Sequence, residues 1–182
     1  MMKQWPSVSI IIPTNVVGDL LRDCIAKCQQ LDYPRYEIIV IPDRLPEKIK
    51  ERGSVRFLPV ASLPGEKKNK GASVAVGEIL AFLDADAYPT MDWLSKAVPY
   101  LLDKTTGAVG GPNLTPAGDN LPQRLCGMIL SSQIALGKFS KRYRKSTYHL
   151  PLEIPSCNLL VKKEIFRQTS GFPKELLTAE DS

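Results

Sequence analysis

The sequence predicts an α/β domain whose mostly parallel sheet is flanked by helices. Three observations point that way. Short apolar runs, VSIII, EIIVI and EILAFL, alternate with longer amphipathic or small-residue stretches, and strands lacking polar alternation are those buried on both faces. The runs end at turn-forming residues, in Pro13-Thr14-Asn15, Pro42-Asp43 and Asp84-Ala85-Asp86. No repeat, low-complexity tract or linker interrupts the 182 residues, a length that suits one domain burying roughly 70% of its unfolded surface.

The elements follow in order. Val8 to Ile12 is the first strand, closed by Pro13. A helix comes next, with Leu20, Leu21, Cys24, Ile25, Cys28 and Leu31 on one stripe. Glu37 to Ile41 is the second strand and Val55 to Pro59 a short third. PGEKKNKGASVAVG reads as a loop and a helix packed through small residues, feeding the strand that ends at Asp84. Thr90 to Leu102 is helical, with Thr90 as N-cap and Asp92 and Trp93 in the first turn. GAVGGP returns to the sheet, Leu121 to Leu136 is another helix, SCNLLVK a later strand, and KKEIFRQTSGF a short helix stopped by Gly171. The second half is less regular than the first, and the whole reads as one domain.

Composition narrows the partners. A hydrophobic content of 43% and a charged content of 24% are ordinary for a globular chain, and the net charge is +5. That mild excess fits an anionic ligand or membrane face, although a merely basic surface is the commoner reason. Cys24, Cys28, Cys126 and Cys157 form no disulfide framework, and the single His149 is near none of them in sequence. They read as reduced structural thiols in a cytosolic setting, not a zinc set. Pro13 interrupts the only early apolar run, which excludes a secretory leader there. LCGMILSSQIALG is too short and polar to span a bilayer.

The strand ending in Asp84 and Asp86 carries the chemistry. In extended chain, residues two apart project to the same side, and ligands of open α/β sheets bind beyond the strands' C-terminal ends. Two such carboxylates repel each other unless something positive joins them. A lysine would serve, but a hard divalent cation shared with substrate phosphates suits oxygen ligands better. If the sheet is parallel, Pro13-Thr14-Asn15 and Asp43 line the same crevice. There Asp43 would accept from a base N–H or ribose hydroxyl and Thr14 would contact the nucleoside, the competing reading being turn chemistry. Lys67, Lys68 and Lys70 open the following helix, where a solvated helix start explains them equally well.

The chain resembles the GT-A glycosyltransferases of family 2. VSIIIPT, YEIIVIPD, GEKKNKGASVAVGEILAFLDADAYP with Trp93 just beyond, PSCNLLVKKEIFRQTSGF and the terminal TAED carry the resemblance. It implies a Rossmann-like sheet forming a single nucleotide-sugar-binding domain over 1–182, with a nucleotide-binding half to about 105 and an acceptor-side half beyond. It further implies Mn2+ or Mg2+ on the Asp-x-Asp motif, and inverting transfer from a nucleoside diphosphate sugar to a glycan or lipid-linked acceptor hydroxyl. By the same resemblance, Pro13 and Thr14 lie beside the nucleoside, and Asp43 contacts the base. Lys68 falls where relatives carry an arginine near the nucleotide, Asp84 lies near ribose and diphosphate, Asp86 binds metal, and Asp181 is the catalytic base. Ser156, Cys157 and Asn158 fall in the segment that approaches donor sugar and acceptor.

Departures from the family pattern bear on specificity. Pro42 replaces the first acid of a usual pair, Arg44-Leu45 replaces small residues, and the first loop lacks a common Tyr. These leave the choice of base open. The sequence stops at Ser182, directly after the expected base, where relatives continue and sometimes enter the membrane. It therefore reads as a piece of a longer protein, cytoplasmic or at the inner membrane face.

Lys138 to Lys145, KFSKRYRK, has two readings: a solvated loop, which is favoured, or a face for anionic lipid or a polyprenyl-phosphate acceptor. No nucleic-acid module is present. A nucleotidyltransferase is the rival enzyme, but PTNVVGD lacks that class's glycine-rich loop and lysine. A dehydrogenase would need Gly-x-Gly-x-x-Gly after the first strand, which is absent. A non-catalytic nucleotide-sugar-binding module remains the other alternative.

Overall fold

The structure, a computed structural model, describes residues 5–45, 53–145 and 154–173. The strands are β1 (Val8–Pro13), β2 (Tyr36–Ile41), β3 (Val55–Phe57), β4 (Ile79–Leu83), β5 (Ala108–Gly110) and β6 (Asn158–Lys162). They form one sheet in the order β3-β2-β1-β4-β6-β5. The first four strands run parallel, while β6 is antiparallel to both β4 and β5. The helices are α1 (Asp19–Cys28), α2 (Pro64–Val74), α3 (Trp93–Leu101), α4 (Leu121–Ser131), α5 (Gln133–Leu136) and α6 (Lys163–Phe166). A 3-10 turn covers Gly137–Tyr143. Among the described residues no helix is long and apolar enough to cross a membrane.

The continuous apolar runs are explained by the two cores they serve. Ile10 and Ile12 of β1, Ile38 and Val40 of β2, and Ala81 and Leu83 of β4 pack with Leu21, Cys24 and Cys28 of α1 and Leu94, Val98 and Leu101 of α3. The alternate residues Ile11, Ile39, Ile41, Leu80 and Phe82 face Ala72, Ala75 and Phe172 on the other side. A period of two that finds apolar cover on both faces leaves no position for a polar residue. Ser9 is the exception. Fully buried, it donates to Glu37 Oε1 (2.6 Å) and accepts from the Gly77 N–H (2.8 Å), which satisfies the hydroxyl.

Several local expectations shift. Leu20, expected on the buried stripe of α1, is 58% exposed, because that helix turns Leu21, Cys24 and Cys28 inward. Helix α3 begins at Trp93 with Asp92, not Thr90, at the cap position, since residues 91 and 92 form a turn. The expected helix from Leu121 to Leu136 breaks at Ser132, which is extended and caps α5 by accepting from the Ala135 N–H (3.4 Å). A serine hydroxyl competing for backbone donors favours such a break. Of the four thiols, only Cys24 and Cys28 are core residues; Cys126 is exposed and Cys157 half-buried. The hydrogen bond with Cys24, reinforced by burial, pushes the Cys28 thiol well up, which keeps that thiol unreactive.

Candidate active site

Register fixes where the loops emerge. Pro13 pairs with Ile41, and Ile11 pairs with Phe82, so β2, β1 and β4 end side by side at one edge of the sheet. The sequence places Thr14 and Asn15, Asp43, and Asp84 with Asp86 just past those three ends. Neighbouring strands lie about 4.8 Å apart, so the loops after β2 and β4 flank β1 about 10 Å from each other.

Helix α2 welds the first two loops together. It starts on Pro64, a residue suited to the first helical position, and its inner face carries Gly65, Lys67, Lys68, Gly71 and Ala72, all buried. Lys67 has no exposed surface. Its ammonium donates to Thr14 O (2.8 Å) and Asn15 Oδ1 (2.7 Å) and pairs with Asp43 Oδ1 (2.7 Å). Three oxygens for three N–H groups complete that charge's hydrogen bonding. The Asp43 side chain keeps 37% of its surface exposed. The solvated-helix reading of these lysines therefore holds only for Lys70, since Lys67 and Lys68 are interior.

Pro13 is buried, and the Thr14 N–H donates to Ile41 O (3.0 Å) while its hydroxyl donates to Val16 O (2.8 Å). Just beyond them opens a crevice of ≈ 530 Å³ lined by Asn15, Val16, Val17, Asp43, Arg44 and Leu45. Arg44 and Leu45, the departures noted in the sequence, are thus walls of the crevice.

Strand β4 ends at Leu83, and the two acids lie in a turn closed by the Ala87 N–H donating to Asp84 O (3.1 Å). The extended-chain expectation for Asp84 and Asp86 fails here, because a turn removes the two-residue period. Asp84 is half-buried and Asp86 exposed, and the Cys24 thiol donates to Asp84 O (3.6 Å). Burial first, then the charges of Asp23 and Asp86, with Cys24 and Asp119 behind them, raise the Tyr88 phenol above its ordinary value. The surroundings of Asp86 are therefore already negative. Two hard oxygen donors in one turn fit Mg2+ or Mn2+ held by one or two carboxylates with phosphate oxygens completing the shell. Among the described residues no three His, Cys, Asp or Glu side chains cluster.

On the far side of β4, β6 and α3 bring further polar groups together. Lys68, 1% exposed, donates to Ser156 Oγ and lies 5.2 Å from the centroid of the Phe172 ring. Trp93 Nε1 donates to Asn158 Oδ1 (2.9 Å), joining the first turn of α3 to the start of β6. Asn69 exchanges two hydrogen bonds with Phe172, Nδ2 to O (2.8 Å) and N to Oδ1 (2.9 Å), beneath Gly171 at φ +74. These bonds seat the chain that leads toward Glu180 and Asp181, which lie outside the described residues, as does His149. Lys67, Asn69 and the Trp93–Asn158 pair received no individual role from the sequence. The helical spacing of residues 65, 68 and 72, and of 67 and 71, is the signal that marks the inner face of α2.

Comparison with known proteins follows from this geometry. The model of glycosyl transferase family 2 matches residues 9–168. Glycosyltransferase AglE of Haloferax volcanii is 24% identical over 196 residues, spanning 100% of this chain and 60% of that protein. Among solved structures, the mannosyltransferase PcManGT from Pyrobaculum calidifontis, in complex with GDP-Man and Mn2+, superposes with a TM-score of 0.62 at 21% identity. It covers 99% of this chain and 53% of its own. TarS of S. aureus in complex with UDP-GlcNAc gives 0.63 at 19% identity, covering 96% and 51%. The structural likeness shows the GT-A fold. The chain thus spans 60% of that curated relative and about half of each solved neighbour.

Proposed function

The chain belongs to glycosyl transferase family 2, and we propose that it is the donor-binding part of a metal-dependent, inverting glycosyltransferase. Its reaction moves a sugar from a nucleoside diphosphate to an acceptor hydroxyl in glycan, glycolipid or cell-envelope synthesis. The observation that carries this reading is the shared edge at which β2, β1 and β4 deliver Asp43, Thr14 and the Asp84–Asp86 turn. The nucleoside lies in the crevice over Pro13 and Thr14 with its base toward Asp43, and the diphosphate extends past β1 toward Asp84. Asp86 holds the cation, whose contribution is to stabilise the charge that gathers on the departing diphosphate. The Mn2+ and GDP-Man of PcManGT and the UDP-GlcNAc of TarS support a divalent ion and a nucleotide sugar. Lys68 acts from beneath, fixing Ser156 and adding positive potential where negative charge develops.

The acceptor hydroxyl is a poor nucleophile at neutral pH, so a carboxylate must take its proton as the bond to the anomeric carbon forms. Attack from the side opposite the departing diphosphate inverts that carbon. Asp181 fills the base role in this reading. Asp181 serves the transition state and not donor binding, so Asp181→Asn should lose most transfer while donor affinity stays near the parent's. Transfer rate and donor affinity measured in parallel on a protein of the relatives' full length check this. Substantial transfer by the variant would move the base elsewhere.

A thermal-shift screen of nucleoside diphosphate sugars, with and without manganese, tests the reading as a whole. A donor at about one hundred times its dissociation constant adds about 2.7 kcal/mol. That raises the midpoint of a chain this size by roughly 5–10 °C, and only with the metal present. No shift with any donor would refute it.

A further inference from the structure

The segment between Asp119 and Glu153 carries Arg124, Lys138, Lys141, Arg142, Arg144 and Lys145 and no carboxylate. Its described part folds into α4, α5 and the 3-10 turn, which pack chiefly on one another. At 100° per residue, Leu121, Leu125, Met128 and Ile129 fall within an arc of about 100° on α4. All four are exposed, between 49% and 68%. Gly127, on the roughly opposite side, is the helix's buried residue, pressed against Thr115. Ile134 of α5 is fully exposed, and Phe139 of the turn is 43% exposed with Lys138 Nζ and the Arg142 guanidinium 5.3 and 5.2 Å from its ring centroid. Exposed apolar side chains and cations thus lie together on three mutually packed elements.

We propose that this surface docks on an anionic lipid bilayer, the apolar stripe entering the headgroup boundary and the cations meeting lipid phosphates. A second copy of the chain fits worse, because a two-fold interface would set this carboxylate-free cationic surface against itself. A nucleic acid would leave the apolar stripe unused. The surface is tied to the candidate site: Arg142 O accepts from the Asn113 N–H (2.6 Å), and neighbouring Pro112 O accepts from Asn158 Nδ2 (3.5 Å). Docking would hold the start of β6 close to the lipid surface. The proposal is independent of the donor reading, since different residues carry it.

Flotation of the 182-residue chain, free of metal and nucleotide, with vesicles of phosphatidylglycerol and phosphatidylcholine tests it. The chain should rise with these vesicles, stay behind with phosphatidylcholine alone, and be released by salt. Met128→Ser with Ile134→Ser, both exposed and so neutral to folding, should weaken partitioning at least about tenfold. Lys141→Gln with Lys145→Gln should weaken it comparably. Lys27→Gln with Lys104→Gln, which remove the same charge elsewhere, should leave it at the parent level. A parent that never floats, an apolar pair that floats like the parent, or a control pair as weak as the patch pair would each overturn the proposal. So would a dimer that Ile134→Ser abolishes in a chain that ignores vesicles.

Discussion

At the scale of single residues, Asp43 is asked to do two things at once. One oxygen pairs with the buried Lys67 ammonium, while more than a third of the side chain stays open to the crevice. Replacing it separates the two. Asp43→Ala should weaken UDP or GDP binding by about 1.5–3 kcal/mol, the range for a charge-assisted hydrogen bond, and also lower stability because Lys67 loses an acceptor. Asp43→Asn keeps an oxygen for Lys67 but loses the countercharge, so it should lower the urea midpoint less than Asp43→Ala while nucleotide affinity still falls. Calorimetry and urea unfolding on both variants check this; unchanged affinity would leave Asp43 a tether and nothing more. Tyr33 offers a pH test. Its hydroxyl donates to Pro6 O (2.6 Å), and burial first, with the Glu78 charge second, pushes its pKa up to about 12. The unfolded phenol ionises near 10, so the stability it supplies is complete below that and drains away between about pH 10 and 12. Tyr33→Phe should flatten stability over that window, and an unchanged slope would show that another group titrates.

At the scale of elements, the junction between α2 and β4 packs closely against the backbone of β1. A β-carbon on Gly77 would come within 2.5 Å of Ser9 N and 2.8 Å of Val8 C, backbone that cannot move without opening β1 from β4. Gly77→Ala should therefore cost about 1–3 kcal/mol by urea unfolding, and no loss would mean the junction is looser than described. The central strands were legible in the sequence because residues such as Ile10 and Ile11 each find an apolar face to fill, so their run is continuous. Helix α2 was legible as a helix, but its lysines were not legible as interior groups. Their partners, Asn15, Asp43 and Ser156, come from 24 to 88 residues away, and local sequence does not report such distant acceptors. The break at Ser132 was hidden for a related reason, since a serine within an apolar stripe reads equally as a helix interior or a cap.

At the scale of the whole molecule, helices close both faces of the sheet, while the C-terminal ends of β2, β1 and β4 gather its polar loops. That two acids follow a buried strand was legible; that they lie in a turn was not, since strand length does not fix where the ladder stops. The central claim is that this edge binds a nucleoside diphosphate through a cation on Asp86. Because Asp86 is exposed, Asp86→Asn should leave the fold intact. Titration calorimetry of UDP and GDP into the parent and this variant, with manganese and after its removal by a chelator, is the most direct measurement. The account predicts binding by the parent with manganese, none after chelation, and none by Asp86→Asn under either condition. Equal binding by parent and variant with manganese would contradict it.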